Sequence, residues 1–201
     1  AKPETASRLR GRIEAVLDWA TVRGYRTGDN PARWKGHLDK ALPAPSKTRQ
    51  VEHHAAVDFN HMPAFWAALG AREGAGADCL RLLVLTAVRS GEARGARWAE
   101  FDEAGCVWII PASRMKARRE HRVPLSELAL DVLHHRKSVC RSAVSEALVF
   151  DSDMRPGDPL SDATLAAVLQ RMGREETVLG FRSSFRDWAA ERTSFPREVA
   201  V

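Results

Sequence analysis

From Thr5 to Ala20 the apolar residues Leu9, Ile13, Val16, Leu17 and Ala20 fall at helical spacing, with Arg8, Arg10, Arg12 and Arg23 largely off that stripe. The pattern predicts a basic amphipathic helix ended by Gly24 and the Gly28-Asp29-Asn30-Pro31 cluster. Asn30 before Pro31 reads as the cap of a short second helix reaching toward Leu38 or Leu42. Two helices cannot enclose a core, so this piece reads as the end of a longer helical domain. Residues 43–58, polar and proline-bearing without periodicity, read as an exposed linker and place a domain boundary there.

Beyond the linker, His61 to Ala71 has a helical pattern, Gly74-Ala75-Gly76 breaks it, and Asp78 to Val88 is an apolar run long enough for a buried helix. Ser90 is placed to cap a short helix through Trp98. Cys106 to Ile110 and Arg122-Val123 have strand composition, with the basic stretch Arg114 to Arg119 between them, which predicts a hairpin with a positive tip. Ser126 starts a helix to about Lys137, Leu148-Val149-Phe150 reads as a third strand, and Ser161-Asp162 open a helix closed by Gly173. A last helix follows Gly180 and runs to about Arg192. The sum is a mainly α protein with a small antiparallel sheet.

Charge changes this picture only at one end. Residues 1–50 hold 11 of the 31 Lys and Arg against 5 of the 26 Asp and Glu, so the formal excess of +5 is concentrated there. Such segregation favours a nucleic-acid partner over a uniformly basic surface, because phosphate attraction acts over short screened distances. Cys79, Cys106 and Cys140 are odd in number and widely spaced, which suggests neither a disulfide framework nor a zinc site and fits a reducing cytoplasm. The adjacent pairs His53-His54 and His134-His135 lack the i, i+4 spacing of a helix metal site, so no metal is expected. The first residues lack the apolar stretch of a signal peptide, and the start at Ala1 reads as an excised piece.

Three basic residues stand out. Arg89 precedes Ser90-Gly91-Glu92 and so lies where a helix begins, a setting that suits an anion; Glu92 either pairs with it at the surface or orients it from behind. Lys116 sits within the dense run Arg114, Lys116, Arg118, Arg119 and Arg122, which as a hairpin tip is either solvated or laid along a nucleic-acid backbone. Arg182 and Arg186 are one helical turn apart, beside the apolar face of Phe181, Phe185 and Trp188. The six tryptophans lie among other apolar residues and read as core.

The order of these features resembles the tyrosine recombinases, the phage-integrase family. Thr86-Ala87-Val88-Arg89-Ser90-Gly91-Glu92 looks like its first arginine box. Trp108-Ile109-Ile110-Pro111 through Lys116 to His121-Arg122-Val123-Pro124 looks like its lysine hairpin, and Gly180-Phe181-Arg182 with Phe185-Arg186-Asp187-Trp188 like its second arginine box. Arg10-Gly11-Arg12, Asp18-Trp19-Ala20 and Gly28-Asp29-Asn30-Pro31 resemble the end of the core-binding domain in integrases of prophages and genomic islands.

The resemblance implies a partial core-binding domain over 1–42, a linker over 43–58 and a catalytic domain over 59–201. It implies site-specific cutting and rejoining of double-stranded DNA at attachment sites through a 3′-phosphotyrosine, without cofactor or metal, by a homo-tetramer in the bacterial cytoplasm at the nucleoid. Arg89 and Arg182 would hold the scissile phosphate and Lys116 would protonate the leaving 5′-oxygen. Glu92 would support Arg89, while Arg114, Arg118, Arg119, His121 and Arg122 would meet the DNA backbone.

Two departures bear on activity. The family's histidine three positions before the second arginine is Leu179 here, and leucine transfers no proton. The single tyrosine, Tyr25, lies far upstream and reads as a packing residue at a helix end. The chain is therefore expected to hold DNA without forming the phosphotyrosine.

Overall fold

The computed structural model describes residues 3–43 and 54–196, so most of the predicted linker over 43–58 lies outside the described residues. Two compact units result, Ala1–His53 and His54–Val201.

In the first unit the predicted basic helix is α1, Pro3–Val22. Asn30 departs from its expected capping role. It is buried, its Nδ2 donates to the Glu14 carbonyl at 2.9 Å and to Asp18 Oδ1 at 2.7 Å, and its Oδ1 accepts from Ala32 N at 2.9 Å. The side chain therefore staples the returning loop to α1, and the helical turn that follows comes only at Trp34–Leu38, interrupted by Gly36 at φ 78°. Tyr25 lies beside Trp19, ring centroids 5.6 Å apart, but both residues are largely exposed, so its ring contact is at the surface rather than the expected helix-end packing.

In the second unit, α2 (Met62–Gly70) and α3 (Ala75–Thr86) match the predicted apolar segments. Leu80, Leu82 and Leu83 of α3 are fully enclosed, as are Leu133 of α5 (Glu127–Val139) and Leu165 and Leu169 of α6 (Thr164–Arg171). Burying such leucines contributes about 1.5–3 kcal/mol each, and this layer is the main support of the fold. Between α3 and α5 lie the short α4 (Ser90–Arg94) and a three-stranded antiparallel sheet in the order β1 (Phe101–Asp102), β2 (Val107–Ile110), β3 (His121–Pro124). Trp108 and Ile110 point into the core, and Trp108 faces Val123 across the β2–β3 pair. Arg122 and His121 stand opposite Ile109 and Ile110. Ser126 caps α5 as predicted, accepting from Ala129 N at 3.3 Å.

The third strand is not the predicted one. Phe101–Asp102 supplies it, with Phe101 stacked on Trp108 at 5.0 Å. Leu148-Val149-Phe150 is buried but makes only an isolated bridge from Leu148 to Arg97, with Val149 N donating to the Ala96 carbonyl at 2.9 Å. Its apolar run reflects enclosure rather than sheet pairing. The last helix, α7 (Gly180–Arg192), is anchored by Phe181, whose ring lies 4.9 Å from that of Phe65 on α2. Among the described residues no helix is long and apolar enough to cross a membrane.

Candidate nucleic-acid interface

Arg89, not Ser90, is the residue that caps α4, with extended φ, ψ of −75° and 151°. Glu92 is buried and holds Arg89 twice: one carboxylate oxygen accepts from Arg89 N and the other from Nη1, each at 2.8 Å. A buried carboxylate in that position is an orienting group rather than half of a surface pair, and it leaves the Arg89 side chain half exposed.

The turn that delivers Arg89 is unusual. Ala87 ends α3 in the left-handed region at φ 52°, where an L side chain crowds its own backbone. That twist turns its carbonyl to accept from Arg182 Nη1, joining residues 95 apart in sequence. Ala87→Gly is expected to stabilise the protein by about 0.5–1 kcal/mol, as relief of left-handed strain outweighs the added freedom of the unfolded chain. Chemical denaturation should show this as a higher midpoint with an unchanged slope.

Arg182 thus stands on the first turn of α7 against the Arg89 turn. Burial, and after it the Arg89 charge, lower the Arg182 guanidinium from its usual value; Glu92 opposes this and Arg186 adds to it. Two cations this close repel, and an anion between them relieves the repulsion. Arg182 lines an open groove of about 420 Å³ together with Ala87, Arg186, His121 and Arg122 and the aromatics Phe185, Trp188 and Phe195, whereas Arg89 does not line it. Leu179 caps α7 with its side chain half exposed.

Lys116, Arg118 and Arg119 are exposed on the connection between β2 and β3 and do not line this groove. Arg114 departs from the solvated stretch expected of it: its guanidinium pairs with both oxygens of buried Glu100 and donates to the Glu92 carbonyl. Sequence patterning missed both Glu100 and the Ala87 carbonyl. A lone glutamate after Trp98 and a main-chain oxygen carry no sequence signal.

Known proteins share this chain's sequence pattern and its fold. The family described as "Phage integrase family" matches residues 60–192. The chain belongs to the phage integrase family. "Phage integrase central domain" matches residues 1–37. Prophage integrase IntZ of Escherichia coli (strain K12) is 36% identical over 189 residues, covering 91% of this chain and 43% of IntZ. The integrase of Enterobacteria phage P4 is 31% identical over 202 residues, covering 94% of this chain and 44% of its own length. The chain thus spans less than half of these curated relatives. Among solved structures, the Tn1549 transposon integrase in complex with circular intermediate DNA superposes with a TM-score of 0.69 at 14% identity, covering 98% of this chain and 70% of that one. A lambda integrase tetramer bound to a Holliday junction gives 0.67 at 16% identity, covering 100% of this chain and 57% of that one. These two share the fold, which for this integrase-family chain is that of the tyrosine-recombinase catalytic domain.

Proposed function

We propose that the chain is the phosphate-holding part of a site-specific DNA recombinase: residues 1–42 belong to a core-binding domain, and 59–201 to a catalytic domain that grips a scissile phosphate. The observation that carries this reading is the hydrogen bond from Arg182 to the Ala87 carbonyl, which ties the second arginine to the turn presenting the first. Arg89 and Arg182 would hold the non-bridging oxygens, where preorganised donors facing developing charge contribute about 3–4 kcal/mol each. Lys116 would protonate the departing 5′-oxygen, and Arg118, Arg119, His121 and Arg122 would follow the backbone of double-stranded DNA. In an intact enzyme the nucleophile would be a tyrosine forming a 3′-phosphotyrosine within a homo-tetramer on DNA.

Tyr25 is the chain's single tyrosine and belongs to the first compact unit, so this chain is expected to bind duplex DNA without cleaving it. Leu179, in place of a proton-transferring histidine, favours the second reading, a DNA-binding protein that retains the grip and has lost the chemistry. Incubation with a nicked suicide duplex should give no covalent adduct under denaturing electrophoresis. Duplex affinity should fall linearly with salt on logarithmic axes, and Lys116→Ala should reduce the magnitude of that slope by about one. A flat salt response would sink the DNA reading, and an adduct would overturn the claim of inactivity.

A further inference from the structure

Arg114 lies two residues before Lys116, yet it is committed to the interior. Its side chain is 20% exposed and that of its partner Glu100 only 7%. Glu100 Oε2 also accepts from the Trp108 indole N–H at 2.9 Å, so the carboxylate is held from β2 as well. The other arm of the guanidinium reaches the main-chain carbonyl of Glu92, the residue whose carboxylate holds Arg89. Gly95 leaves room for it: a Cβ there would lie 2.9 Å from Arg114 Nη2. Arg114 ends a short 3₁₀ turn, Ala112–Arg114, and Met115, which follows, packs on the core.

We propose that Arg114 is a positioning residue rather than a DNA ligand. It fixes the start of the lysine-bearing connection to the helix that Arg89 caps, through Glu100 on one side and the Glu92 carbonyl on the other. This rests on the functional reading above, since it is Arg89 and Lys116 whose separation is being set. A DNA phosphate could recruit Arg114 only by leaving Glu100 as an unpaired buried carboxylate, a strongly unfavourable exchange. Lysine is no equivalent, because one ammonium does not span a carboxylate and a carbonyl in the fixed plane of a guanidinium.

The test uses the full chain with Arg114→Lys and the charge-neutral pair Arg114→Gln/Glu100→Gln, which avoids stranding a buried carboxylate. Amide hydrogen exchange at residues 115–120 should accelerate about tenfold or more in both variants, while α5 exchanges as in the parent. Duplex affinity is measured against salt in the same proteins. The neutral pair should lose no more than the roughly one unit of salt slope that Lys116 contributes, and the loss caused by Lys116→Ala should shrink toward onefold in both backgrounds, while that of Arg118→Ala persists. A slope smaller by about one in the neutral pair, with unchanged exchange at 115–120, would make Arg114 a phosphate ligand and overturn the proposal. A parent that binds no duplex would overturn the DNA reading, and hydrogen exchange alone would then decide the role of Arg114.

Discussion

Gly180→Ala is expected to cost at least the upper end of the roughly 1–3 kcal/mol typical of overpacking, read as a lower denaturation midpoint. An added Cβ would lie 2.1 Å from the Ala55 carbonyl oxygen and 2.9 Å from the Ala56 Cα. Both are main-chain atoms, so no side chain can swing aside. The neighbouring contacts hold the same strand of chain in place: Thr177 N donates to the Ala55 carbonyl at 2.9 Å, and Ser184 Oγ donates to the Val57 carbonyl. Either the 54–57 segment lifts away, losing these bonds, or the first turn of α7 shifts. The second route moves Arg182 off the Ala87 carbonyl, so duplex affinity should fall together with stability. A variant with the parent's midpoint would show that the close approach is not required.

Gly180 also marks where sequence reading succeeds and fails. Its position before an aromatic-arginine helix was legible, because Phe181, Phe185 and Trp188 keep helical spacing and local patterning decides such segments. The reason a glycine stands there was not, since Ala55 is remote in sequence. The same division runs through the site. The hairpin was legible from Val107 to Ile110 and Val123, but its third strand was not, because two residues, Phe101–Asp102, carry no periodicity. The apolar run Leu148-Val149-Phe150 misled for the converse reason: full burial without pairing leaves the same composition as a strand. Among the basic residues, the run from Arg114 to Arg122 looked uniform, yet only Arg114 meets a buried carboxylate. Charge is written in the sequence, whereas its partner is chosen by tertiary packing.

Asp78→Ala is expected to be more damaging still, at about 3–5 kcal/mol, the usual loss when one partner of a buried ionic cluster is removed. Asp78 is 1% exposed on α3, and its two oxygens serve different neighbours. Oδ1 accepts from Arg81, whose other nitrogen reaches the carbonyls of Leu69 at 2.7 Å and Gly70 at 3.0 Å and so caps the end of α2. Oδ2 lies 3.6 Å from Arg136 Nη1 on α5, near enough for charge attraction without a hydrogen bond, and 3.8 Å from His135 Nε2. Arg136 is itself buried, with Nε donating to the Val149 carbonyl at 3.3 Å and Asp151 at 4.0 Å as its remaining acidic neighbour. Without Asp78 its charge stays enclosed against one distant carboxylate. Asp78→Asn keeps the shape and an acceptor for Arg81, so it should lose clearly less than alanine, and equal losses would show that charge rather than shape governs the site. Because α3 ends in the Ala87 turn, looseness at Asp78 should reach Arg89 as well. Hydrogen exchange at residues 87–92 in Asp78→Asn should therefore rise before global unfolding does.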